Sequence, residues 1–191
     1  MFIKHSNSGG VAALLVYVDD IIVIGNDGKE KQSLRQCLAK EFEIKELGRL
    51  KYFLRIEVAH SRQGIFISQH KYVTDLLTKT GKLACKLAST PIDPNHKLGE
   101  TEEDATVYRE MYQRQVGKLI YLSHMRPGIA YAVSIVSQFM HSPKVHMQAV
   151  NRVSQYLKGT PGKGILFKRS TSLVLEAFTD ADYAGFVVDK R

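Results

Sequence analysis

Only two cysteines, Cys37 and Cys85, occur in the 191 residues, and neither belongs to a CxxC pair. That scarcity excludes a disulfide framework and a cysteine-rich zinc cage, and it fits a reducing compartment. Histidine supplies no substitute, because His141 and His146 are five apart and do not share a helix face as metal ligands do. A membrane span is missing too. The longest apolar run, 11–24, is broken by two carboxylates, and residues 1–10 carry no apolar signal core. The expectation is a chain neither secreted nor membrane spanning, working in the cytoplasm or nucleus. Long blocks of like charge are also absent: 27 Lys and Arg against 19 Asp and Glu give a scattered excess of +8. Such an excess suits a polyanion partner and serves solubility equally well.

What is present is ordinary for a folded chain. Hydrophobic residues at 44% and charged residues at 24% exclude wholesale disorder and a fibrous repeat. The length suits one substantial domain, or one domain with part of another. Runs at 12–18 and 21–24, rich in Val and Ile, predict two buried strands joined by a turn at Asp19 and Asp20. Apolar spacing then predicts a helix over 30–42, a hairpin from 52–59 and 64–68 around a polar loop, and a helix over 71–80 stopped by Gly81. The pattern lapses from 82 to 103, where Pro91 and Pro94 mark a connector. Helices follow at about 107–124, from Pro127 to 140, and at 144–158, with strands at 165–167 and 173–179 beyond them.

The residues best suited to chemistry are Tyr17-Val18-Asp19-Asp20. Two carboxylates inside an apolar hairpin are costly unless their charge is compensated, and a divalent cation would do that. Hard oxygen ligands suit Mg²⁺, which binds through one or two carboxylates plus substrate phosphates. An Asp-Asp turn at the solvent edge of a sheet, however, needs no metal. A receiver-type phosphoacceptor domain also begins with an acidic pair after a strand. That reading fails here, because no Asp occurs between Asp27 and Asp75 and a hairpin rather than a helix follows Asp20.

Leu15-Val16-Tyr17-Val18-Asp19-Asp20-Ile21-Ile22 resembles the YxDD element of Ty1/copia-type reverse transcriptases. Glu46-Leu47-Gly48-Arg49-Leu50-Lys51-Tyr52-Phe53-Leu54 resembles that family's primer-grip hairpin, and Ser68-Gln69-His70-Lys71-Tyr72 with Asp75-Leu76-Leu77 resembles the start of its thumb. Farther on, Val116-Gly117-Lys118-Leu119-Ile120-Tyr121-Leu122, Arg126-Pro127 and Tyr156-Leu157-Lys158-Gly159-Thr160-Pro161-Gly162 resemble its connecting region. Asp180-Ala181-Asp182-Tyr183-Ala184-Gly185 resembles the first strand of its ribonuclease H domain. The likeness runs in the family's order from about residue 14 onward.

The resemblance implies an α/β (α+β) piece of a retrotransposon Pol polyprotein: partial palm and thumb start over 1–93, helical connection over 94–163, and the beginning of a ribonuclease H-like domain over 164–191. It implies RNA-directed DNA polymerisation on an RNA template and DNA primer with Mg²⁺. Asp19 would be the main metal ligand and Asp20 its companion, Tyr17 would lie beside the primer end, and Leu50, Tyr52 and Phe53 would hold the primer strand or simply pack the hairpin. Asp180 would be the first carboxylate of the ribonuclease H site. Only eighteen residues precede Asp19, so the family's third palm carboxylate and its fingers fall outside the chain, which alone is expected not to polymerise. Arg55 stands where the family usually has Gly, and Gly128 where it usually has Asp; a long side chain at 55 is expected to distort the hairpin or displace the primer. The alternative is a basic nucleic-acid-binding module without catalysis.

Overall fold

The computed structural model describes residues 1–6, 9–93, 109–140 and 147–169. The strand expected at 173–179, Asp180 and the rest of the ribonuclease H-like start lie outside the described residues. Three strands, β1 (Phe2–His5), β2 (Val11–Tyr17) and β3 (Asp20–Gly25), form an antiparallel sheet in the order β1-β2-β3. β1 goes beyond the sequence reading, and it pairs Phe2 with Leu14 and Ile3 with Ala13. The β2–β3 register pairs Val16 with Ile21, Leu15 with Ile22 and Leu14 with Val23, while Gly25 sits opposite Ala12. A Cβ at Gly25, whose φ is +135°, would lie 2.0 Å from the Val11 carbonyl oxygen, so only glycine closes the sheet so tightly there. The strands are less buried than their composition predicts. Of their apolar side chains only Ala12 and Ala13 are buried, whereas Val16, Ile21 and Ile24 are exposed.

Asp27 starts α1 (Gly28–Glu41) by accepting from the amides of Lys29 and Glu30, both at 3.0 Å. Hydrogen bonds from the Glu30 amide foremost and from the Ser6 side chain next hold the Asp27 carboxyl below its ordinary range. No residue of α1 is buried, and an exposed ion pair of 2.7 Å between Lys4 and Glu30 ties the helix to β1.

A second antiparallel sheet has the order β4-β5-β6-β7, from β4 (Tyr52–Phe53), β5 (Ile56–His60), β6 (Gly64–Ser68) and, a hundred residues on, β7 (Gly164–Lys168). Four helices pack beside it: α2 (His70–Lys79), α3 (Arg109–Ser123), α4 (Pro127–Gln138) and α5 (Met147–Gly159). α2 ends as its sequence predicts. Gly81, at φ +65°, donates to Thr78 while the Lys82 amide reaches back to Leu77, the paired bonds of a Schellman cap. Apolar residues three and four apart turn inward on each of these four helices, and Val73, Leu76, Leu77, Tyr112, Val116, Leu119, Leu122, Ile129, Val133, Val136, Val150, Val153 and Leu157 share one core. Each fully buried aliphatic side chain there stabilises by roughly 1.5–3 kcal/mol. Contacts cross the expected segment boundaries: α2 shares its core with α3–α5, and β7 pairs with β6. No described helix is long and apolar enough to cross a membrane.

Polar side chains set into this core include Tyr112 and Arg126. The Tyr112 hydroxyl donates to the Val136 carbonyl at 2.7 Å, and burial pushes its pKa up to about 12. Arg126, only 5% exposed, donates from Nη2 to Thr160 at 2.7 Å, while its Nη1 has no hydrogen-bond partner among the described residues. Burial lowers the Arg126 pKa, with Tyr156 opposing it.

Tyr112→Phe should cost about 1 kcal/mol at neutral pH. Because the folded pKa of Tyr112 is raised, its contribution is intact below pH 10 and is lost as pH rises through about 12. Urea unfolding at pH 7 and pH 11 checks both, the variant losing less stability than the parent between them. Gly128 lies at the second position of α4, beside Arg126, and a Cβ there would meet only the Tyr156 hydroxyl, at 3.5 Å. Gly128→Asp should therefore stabilise by about 1 kcal/mol, through lower chain entropy in the unfolded state and a carboxylate at a helix N-terminus. Thermal unfolding checks this, and a lower melting temperature would refute it.

Candidate nucleic-acid interface

The acidic hairpin turns at Val18 and Asp19, not at Asp19 and Asp20, because Asp20 is already the first residue of β3 and pairs with Tyr17. Seating Gly25 against Val11 and stacking the Val and Ile cross-strand pairs sets this register. The turn then needs positive φ at its first position, and Val18 takes φ 51° with its side chain 80% exposed. A β-branched residue is strained there. Asp19 and Asp20 are both exposed, so the expected desolvation of the pair is absent: water, not an apolar wall, surrounds these carboxylates.

Among the described residues no group of three His, Cys, Asp or Glu side chains converges. Two adjacent carboxylates suit one Mg²⁺ that keeps its waters and gains substrate phosphates, but they are too few for a two-metal centre. No catalytic step through metal follows from this donor set.

The second hairpin supplies the surface beside the acidic tip. The stretch expected as one strand over 52–59 is instead cut by a two-residue turn at Leu54 and Arg55, with φ 48° and 61°. Such a turn needs positive φ at both central residues, for which Asn-Gly is the usual sequence. Arg55 does not distort the hairpin, since Tyr52 still pairs with Glu57 and Phe53 with Ile56. The left-handed conformation costs roughly 1–2 kcal/mol, and the Arg55 guanidinium, 5.4 Å from the centre of the Tyr72 ring, offsets about 0.5–1 kcal/mol of it.

Tyr17 meets Phe53 edge to face, with ring centres 6.2 Å apart, so the acidic tip touches the β4–β5 hairpin directly. Leu50 is held through its carbonyl, to which His60 Nε2 donates at 2.9 Å, and Tyr52 is half exposed. Tyr72 of α2 and Tyr121 of α3, which the sequence reading quoted within longer motifs but not as site residues, complete the junction. Their rings meet edge to face at 5.4 Å, and the Tyr121 hydroxyl donates to the Leu54 carbonyl. Burial raises the pKa of both tyrosines, with Arg55 opposing, so they remain donors at neutral pH. Asp180 lies outside the described residues.

Residues 1–94 match the family described as reverse transcriptase (RNA-dependent DNA polymerase). A retrovirus-related Pol polyprotein from transposon RE1 of Arabidopsis thaliana is 42% identical over 180 residues, 92% of this chain and 12% of that protein. The chain belongs to the reverse transcriptase family of copia-like retrotransposon Pol polyproteins. The Pol polyprotein of transposon TNT 1-94 from Nicotiana tabacum is 32% identical across the whole chain, which covers 15% of it. An uncharacterized mitochondrial protein of Arabidopsis thaliana is 37% identical over 93% of the chain and 74% of its own length. The chain thus spans only 12–15% of these two Pol polyproteins. No solved structure matches it.

In this reverse transcriptase segment, Val18→Gly should relieve the left-handed strain, roughly 1–2 kcal/mol, at an entropic cost of about 0.5–1 kcal/mol. The expected net gain is of order 0.5–1 kcal/mol, read by chemical denaturation. A loss of stability would mean that the Val18 side chain makes a compensating contact.

Proposed function

We propose that this chain is the YVDD and primer-grip portion of an RNA-directed DNA polymerase, with a palm remnant over 1–93, a helical connection over 94–163 and the beginning of a ribonuclease H-like unit from 164, in which Asp180 is the first carboxylate. The observation that carries this reading is the Tyr17–Phe53 contact, which sets the acidic tip against the hairpin that resembles the primer grip. In this reading Asp19 is the main Mg²⁺ ligand and Asp20 its companion. Tyr17 faces the primer end, and Leu50, Tyr52 and Phe53 steady the primer strand on its RNA template. The half-exposed rings of Tyr17 and Tyr52 are accessible to a base or sugar. Mg²⁺, when bound, supplies charge neutralisation at the transferred phosphate; the chain's own residues orient the two strands. The setting is intracellular, in cytoplasm or nucleus.

With two carboxylates and no third acidic partner among the described residues, the chain alone does not polymerise. A second reading, a basic module that binds nucleic acid without catalysis, is favoured by the +8 charge. Both are tested by Mg²⁺-dependent primer extension on an RNA template, beside an Asp19→Asn, Asp20→Asn double variant. No extension by either chain is expected. Extension by the parent and none by the variant would overturn the inactive reading and make the pair sufficient. Binding that is retained in EDTA and falls steeply with salt would favour the non-catalytic module.

A further inference from the structure

We propose that Arg55, Lys79, Arg114 and Lys118 form a phosphate-binding strip for a nucleic-acid strand, on the face shared by the 54–55 turn, α2 and α3. The proposal rests on the polymerase-segment reading and deepens it by naming where the strand's backbone runs. Helix geometry puts these residues in line. On α3, Arg114, Lys118 and Tyr121 recur at intervals of four and three, one stripe of the helix surface. On α2, Tyr72 and Lys79 are seven apart and again share a stripe. The two stripes meet where the Tyr72 and Tyr121 rings touch at 5.4 Å, and Arg55 lies over the Tyr72 ring at 5.4 Å. Two helices and a turn, distant in sequence, therefore bring their cations to one junction.

Among the described residues no ion pair neutralises this charge. Arg114 and Lys118 stand four apart on one helix, a like-charge spacing that disfavours the helix. Among the described residues none of the four cations is ion-paired with a carboxylate. Burial lowers the Lys118 pKa, and the neighbouring Arg114, Lys79 and Arg55 lower it further. Carboxylates on the same elements are Asp75 and Glu110, together with Glu57, whose side chain is engaged by the Lys71 amide at 2.7 Å. Uncompensated cations held together at such a cost call for an external polyanion. The tyrosines among them, and the path from Leu54 through Phe53 to Tyr17 at the acidic tip, favour a polynucleotide: aromatic rings interleaved with cations suit a stacked, phosphate-linked strand.

The test is equilibrium binding of the full chain to a fluorescent RNA·DNA hybrid across a KCl series in EDTA. The parent is compared with Arg114→Gln, Lys118→Gln, with Arg55→Gln, Lys79→Gln on separate elements, and with a control, Lys29→Gln, Lys40→Gln on α1. Glutamine keeps helix propensity, and circular dichroism checks the folds. Each strip variant should bind about tenfold more weakly at low salt, with the slope of log K against log salt reduced by roughly two, one for each lost phosphate contact. The control should match the parent. A parent that binds while both strip variants keep its affinity and slope sinks the strip and leaves the polymerase reading standing. A parent that fails to bind at low salt sinks both. Loss of binding to phosphatidylserine vesicles alone, with hybrid binding intact, would assign the strip to a membrane surface and overturn the proposal.

Discussion

The Leu54 carbonyl, at the start of a turn whose two central residues are left-handed, accepts a hydrogen bond from the Tyr121 hydroxyl, 67 residues away in sequence. Much of the candidate interface depends on that bond. Without it the 54–55 turn would be joined to the helical core by Arg55 on Tyr72 alone, while β5 is held by its pairing with β6 and by Glu57, which accepts from the Lys71 amide of α2. With it the turn is pinned to α3, Phe53 is positioned, and Phe53 in turn meets Tyr17 at the acidic tip. The donor is robust, since burial raises the Tyr121 pKa and keeps its proton well into the alkaline range. Residues 1–94 carry the family match, yet the tyrosine that steadies the 54–55 turn lies beyond them. The helices after the match are therefore part of how the site is held.

Strain collects at the same place. Among the described residues the non-glycine positions with positive φ are Val18, Leu54 and Arg55, and all three lie in the two turns that Tyr17 and Phe53 bring together. Each costs roughly 1–2 kcal/mol. A marginal hairpin could not hold such turns by itself, because an isolated two-stranded ribbon is barely stable in water. The core of α2–α5 can, since each of its buried aliphatic residues contributes as much as one strained turn position costs. Backbone strain of this kind persists only where surrounding structure over-determines it, and here the helical core does so through Tyr72 and Tyr121.

What the sequence made legible follows from the range of the forces involved. Helix periodicity is local, so α3, α4 and α5 fall within a few residues of expectation, with Pro127 in the first turn and Gly81 in the cap. The acidic hairpin was legible as an element but not in its register, because Asp-Asp is an acceptable turn pair and only the seating of Gly25 against Val11 excludes it. Leu54-Arg55 carries no turn signal at all, and β4 with only two residues offers no pattern to read. Tyr72 and Tyr121 were quoted within motifs, but their role was not legible, because it exists only when the chain folds them onto the 54–55 turn. Family likeness pointed to the acidic pair and to Leu50, Tyr52 and Phe53, whereas the cations at 79, 114 and 118 required packing to be seen as one group.

The first sheet and its acidic pair are coupled by solvation. Phe2, Val16 and Ile21 on one face and Ile3 and Ile24 on the other are exposed, so both faces of the sheet present apolar surface to water. Burial of that surface against another chain segment would be favourable at roughly 25 cal/mol per Å². The same burial, carried to the hairpin tip, would strip water from Asp19 and Asp20 and raise the cost of two adjacent negative charges. A cation bound between the carboxylates would remove that penalty. Covering the sheet and binding a cation there would therefore be thermodynamically linked, each made easier by the other. With the tip in water, as here, the carboxylates gain little by holding an ion, and among the described residues no third acidic group joins them.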